Sequence, residues 1–128
     1  MAKELKKGDR IIYSKTFTKE EVAYFGKTMG FMGRHHEIAN DQDQLLNQGL
    51  LTAILTNRIG GEYNILMYRM EFDFLKKVWT GEEMTVINDV TSIVEKKSRQ
   101  HIEIESNIYN ESDELVLKAI LKGILLDI

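Results

Sequence analysis

Residues 43–61, DQLLNQGLLTAILTNRIGG, limit what this chain can fold into more than any other stretch. Leu45, Leu46, Leu50, Leu51, Ala53, Ile54, Leu55 and Ile59 cover more than one side of a 3.6-residue wheel. A helix apolar over most of its girth is buried, not laid on a surface. Asp43 is suited to cap its start, because a carboxylate there accepts the orphan amides of the first turn. Gly60 and Gly61 are suited to end it, because glycine takes the left-handed cap at no steric cost. The run is too short, and too interrupted by Gln48, Asn57 and Arg58, to span a membrane. The rest of the chain offers too little helix for a bundle, so a sheet must wrap around this one.

The flanking segments supply that sheet. Residues 10–17, RIIYSKTF, read as a strand with Ile12, Ser14 and Thr16 on one face and Ile11, Tyr13, Lys15 and Phe17 on the other. Thr18 and Glu21 have capping-box spacing and open a short helix with an apolar stripe of Val22, Phe25 and Met29, stopped by Gly30. Residues 30–42, GFMGRHHEIANDQ, have no period and read as a loop. Beyond Gly61 the pattern is strand to the end. Leu66, Tyr68, Met70, Phe72 and Phe74 alternate with polar residues including Arg69, Glu71 and Asp73, which predicts one core face and one wet face. Residues 76–82 turn on Gly81, and strands follow over 83–94, 99–109 and 114–126, with turns at 96–98 and 110–113. The prediction is an α+β fold: an antiparallel sheet of about five strands wrapped around one long central helix.

The 128 residues are the size of one domain, expected over 1–128. A net charge of −3 without a basic cluster argues against nucleic acid. There is no cysteine for a disulfide, a thiol nucleophile or a thiolate metal site. The opening MAKELKKGDR lacks a signal peptide's apolar core, so a soluble cytoplasmic protein without a membrane partner is expected.

His35-His36-Glu37 is the one chemically suggestive cluster. Imidazole suits proton transfer near neutral pH, though a loop histidine with no role is the plain alternative. Adjacent histidines in a strand-like loop point apart and no third ligand is evident, so no metal is expected. Gly49 near the helix start suggests close approach of a ligand to the backbone, or tight packing against a bulky strand residue. Tyr63, Met67 and Met70 read as core first and as the lining of an acyl tunnel second. Lys96, Lys97 and Arg99 read as a solvated hairpin tip first and as a phosphate site second.

Several segments together resemble the MaoC-like, (R)-specific enoyl-CoA hydratase family over nearly the whole chain. They are Lys7-Gly8-Asp9, then Phe17-Thr18 and its helix, Asn47-Gln48-Gly49-Leu50-Leu51 beside the family's H-G-M-L, MEFDFLKKVWTGEEMT at 70–85, and IEIESNIYNESDELVLKAILKGIL at 102–125. The resemblance implies a hotdog fold and an acyl thioester of coenzyme A or acyl carrier protein as ligand. It implies hydration of trans-2-enoyl thioesters or the reverse dehydration of 3-hydroxyacyl thioesters, no cofactor, and a homodimer or a multiple of it with a continuous sheet. The family's G-D-x-N-P-x-H motif, laid on Gly30, puts its histidine on His36 and its catalytic aspartate on Phe31, with Gly33 and Arg34 on the asparagine and proline. His36 is then the base, with Glu37 or Asp41 (or Asp43) as the carboxylate. Gly49, Leu50, Phe31 and His35 are the substrate-binding candidates, with helix-start amides polarising the thioester carbonyl. Thioester hydrolysis through Glu37 or Asp41, and non-catalytic binding with Phe31 in the aspartate's place, are the alternatives.

Overall fold

A computed structural model describes residues 4–127, so Met1 to Lys3 of the opening stretch, and Ile128, lie outside the described residues. The strands are β1 (Arg10–Thr16), β2 (Ile65–Phe74), β3 (Glu83–Lys96), β4 (Arg99–Tyr109) and β5 (Leu115–Leu125). They form one antiparallel sheet in the order β1-β3-β4-β5-β2. Alternation drives this. On β4, Ile102, Ile104 and Ile108 are buried, while Glu103 and Glu105 between them face Lys122 and Lys118 of β5. The β3–β4 turn places Lys97 and Ser98 at φ 54° and 63°, the doubly left-handed geometry of a tight hairpin.

The sheet curls around a helix spanning residues 49–62. It comprises α2 (Gly49–Ala53), a tighter turn over Ile54–Asn57, and α3 (Arg58–Glu62). Leu51, Leu55 and Ile59 share its inward face and pack with Met84, Val86, Ile104, Ile108 and Leu121. The hotdog fold is thus present, with a shorter central helix than 43–61 predicts. Residues 45–47 are held extended instead: Asn47 N–H donates to Val78 O, Thr80 N–H to Leu45 O, and Leu46 bridges to Trp79. Asp43 is not the cap. It sits at φ 58°, ion-paired to Lys19. Gly60 and Gly61 lie inside α3, and Asn64, at φ 55°, takes the left-handed position after it. Nor is the helix buried all round: Leu50 and Ile54 are 58% and 52% exposed. The sheet covers one side of the helix and leaves the other exposed.

The short outer helix is α1 (Lys19–Met29), with its capping box formed and Gly30 left-handed at φ 86°. Val22 is buried and Phe25 partly so, but Met29 is 47% exposed. On β2 the predicted single apolar face is broken by a bulge. Met67 pairs with Gly123 but Met70 with Leu121, so Tyr68 is the extra residue. Met70, Phe72 and Phe74 share the inner face with Leu121, Ala119 and Leu117, whereas Leu66 lies opposite Ile124 on the outer face. Gly123 is what lets β2 pass so closely. A Cβ there would sit 2.7 Å from the Leu66 carbonyl oxygen.

Candidate active site

A cleft of about 400 Å³ opens where β2 ends and β5 begins, against the first turn of the central helix. The loop before the helix builds one wall. Gly33 starts a short turn over Arg34–His36, closed by bonds from His36 N–H to Gly33 O and Glu37 N–H to Arg34 O. A side chain at Gly33 would strike the His35 ring at 2.5 Å. The tight turn brings the two rings together, with centroids 3.9 Å apart, so the expectation that they point apart fails.

His36 is partly buried, and its Nδ1 lies 2.7 Å from the Leu46 carbonyl. A carbonyl only accepts, so Nδ1 carries the hydrogen and the neutral ring keeps its lone pair on Nε2. The peptide group that receives this bond is the one whose N–H belongs to Asn47. Asn47 is 4% exposed and also borders the cleft. Gly49 borders it as well, and a Cβ there would lie 3.0 Å from the Phe74 ring, so close ligand approach and tight packing coincide at this glycine. The helical ladder begins with Thr52 N–H to Gln48 O. The amides of Gly49, Leu50 and Leu51 precede it and are free of the ladder.

The cleft therefore brings together His35, His36 and Gly49 of the candidates read from sequence. It does not take in the others. Phe31 is 83% exposed, Glu37 and Asp41 are exposed, and Leu50 faces outward. Among the described residues bordering the cleft there is no carboxylate. Two cations stand there instead, Lys76 and Lys77. Lys76 pairs with Glu114 and holds that carboxyl below the usual range. Tyr63 and Met67 pack on the core and do not line the cleft, and Met70 is partly exposed outside it. Lys96, Lys97 and Arg99 are at the other end of the sheet. Gln100 pairs with Leu125 there, whereas Ile108 pairs with Leu117 beside the cleft. Sequence reading missed Asn47, Thr52 and Lys76. The signal available was the polar pair Asn47-Gln48 directly ahead of Gly49 in an otherwise apolar run.

No family model and no curated protein matches the sequence. Solved structures do match. The (R)-hydratase from A. caviae involved in PHA biosynthesis superposes with a TM-score of 0.80 at 18% identity, over 98% of this chain and 100% of that one. An unliganded R-hydratase from Pseudomonas aeruginosa gives 0.82 at 14% identity, over 95% and 83% of the two chains. A MaoC-like dehydratase from Rhodospirillum rubrum gives 0.72 at 19%, over 95% and 93%. At these identities the likeness establishes the fold: this chain has the hotdog fold, in the form seen in MaoC-like (R)-hydratases and dehydratases.

Proposed function

We propose that the cleft binds acyl thioesters of coenzyme A or acyl carrier protein. We further propose that it hydrates trans-2-enoyl thioesters, or dehydrates 3-hydroxyacyl thioesters in reverse. The observation that carries the reading is His36. Its Nδ1–H is fixed on the Leu46 carbonyl, its other nitrogen keeps a lone pair, and Gly49 borders the same cleft. A base so oriented takes a proton from water, while the free amides of Gly49 and Leu50 suit the charge that develops on a thioester oxygen. Lys77 gives the cleft positive charge that a phosphate-bearing carrier favours, Lys76 being paired with Glu114. Structural likeness to proteins named as hydratases and dehydratases supports the reading.

Non-catalytic binding is the second reading, favoured by Phe31 in the aspartate's place and by the absence of a carboxylate along the described cleft. That same absence weighs against thioester hydrolysis, where Glu37 or Asp41 would have to activate water. The test is purified protein with crotonyl-CoA, following hydration and free-thiol release together. Hydration is the expected result. Thiol release selects hydrolysis, and binding without either selects the non-catalytic reading.

The functional unit we propose is a homodimer, joined along β2. That edge carries Met70 and Phe74 at 37% and 53% exposure, and Leu50 and Ile54 of the helix are exposed as well. The opposite edge, β1, is blunted by the Arg10–Asp89 and Lys15–Glu21 ion pairs.

A further inference from the structure

We infer that Asn47 is a second catalytic residue, whose carboxamide oxygen holds the attacking water that His36 deprotonates; this rests on the hydratase reading above. Asn47 is 4% exposed, and its Oδ1 is buried without a hydrogen-bond partner among the described residues. Its orientation is set by its neighbours. The Thr52 hydroxyl donates to the Gln48 carbonyl at 3.2 Å, so its oxygen accepts from Asn47 Nδ2 at 2.7 Å. That bond directs the amide nitrogen to Thr52 and leaves the oxygen as the free end. A buried acceptor left without a donor is destabilising, so such a group in a residue of the cleft wall calls for a donor from the ligand side. Lys76, held by Glu114, does not supply that donor.

The position relative to His36 fits water. Leu46 C=O, which fixes the imidazole, and Asn47 N–H belong to one peptide group, and His36 and Asn47 both border the cleft. A water between them has a lone-pair acceptor for each hydrogen: His36 Nε2 for one and Asn47 Oδ1 for the other. Its own lone pair is then turned toward the substrate. The oxygen forms a bond to Cβ of the enoyl thioester as the π pair of Cα=Cβ shifts through Cα onto the thioester oxygen. His36 Nε2 takes the first hydrogen as a proton. The imidazolium returns that proton to Cα as the carbonyl re-forms, and the second hydrogen stays on the new hydroxyl at Cβ. One water is consumed and the base is regenerated. A neutral carboxamide orients the water but cannot trade protons, which leaves His36 as the acid and the base.

The experiment compares wild type, Asn47→Ala and Asn47→Asp as full chains in crotonyl-CoA hydration across pH, with melting temperature alongside. Asn47→Ala is expected to lower kcat by about 10²-fold with KM within about twofold, the cost of a misplaced reactant. Asn47→Asp keeps an acceptor in place, so it is expected to hold kcat within about tenfold of wild type near neutral pH. It also adds a second protonation to the acid limb that His36 already gives wild type, because a protonated carboxyl donates where the water needs an acceptor. Should Asn47→Ala not fold, the Asn47→Asp pH profile decides. An Asn47→Ala variant with wild-type kcat, or an Asn47→Asp profile that superimposes on wild type, overturns the inference and leaves the hydratase reading standing. A wild type that does not hydrate crotonyl-CoA overturns both.

Discussion

At the scale of single residues, His36 carries the sharpest expectation. His36→Ala should cut hydration by about 10²–10⁴-fold while thioester binding, followed by titration calorimetry, persists. Phe31→Asp puts back the carboxylate that the resembling enzymes use. It is nonetheless expected to leave hydration unchanged, because the side chain at this position is 83% exposed and outside the cleft. A rise in rate would show that the loop closes over the ligand. Thr18 and Glu21 offer a test of stability. Thr18→Ala should cost about 0.5–2 kcal/mol in denaturant unfolding. The Glu21 carboxyl is held below its usual range chiefly by Lys15 at 2.7 Å, with partial burial opposing and the Thr18 amide assisting. A carboxyl lowered in the folded state stabilises above its unfolded pKa, and that contribution fades as pH falls through the folded value. Glu21→Gln should therefore flatten the acid side of a melting-temperature profile. The capping box was readable from spacing alone, and His36 only through the family resemblance. Asn47 was not, because a free Oδ1 follows from Thr52 spending its hydrogen on Gln48, a geometry that no spacing encodes.

At the scale of elements, the helix splits into a face that holds the fold and a face that does not. Leu55→Ala or Ile59→Ala should each cost about 2–5 kcal/mol, since both side chains are buried under the sheet. Leu50→Ala and Ile54→Ala should leave the fold of the single chain nearly unmoved and act on assembly instead. Gly123→Ala is expected to cost about 1–3 kcal/mol, because the added methyl meets the main chain of β2 and not a movable side chain. The number of strands and their antiparallel type followed from the alternation, which Ile102, Ile104 and Ile108 obey without exception, whereas the pairing of β2 with β5 did not. The helix start did not, because Leu45 and Leu46 have the composition of a helix while Val78 and Thr80 recruit their backbone into an extended pairing. Tertiary hydrogen bonds outweighed local propensity there. The β2 face was misjudged at Leu66 and Tyr68, since the inserted residue puts the positions before it on the opposite side from Met70, Phe72 and Phe74.

At the scale of the whole molecule, the unpaired β2 edge and the outward helix face form the surface that a second copy would cover. Light scattering at micromolar concentration should give twice the mass of one chain, and a monomeric mass would refute the dimer. Ile54→Glu should shift that mass downward without unfolding the chain, because the residue is 52% exposed in the single chain. An edge that is both open and oily also makes dilution a denaturing agent. Stability drawn from association follows mass action, so the melting temperature should climb with protein concentration and sag on dilution. In the dilute regime the same strand offers its free amides and carbonyls to whatever extended chain arrives first, and its chief hazard becomes the wrong partner.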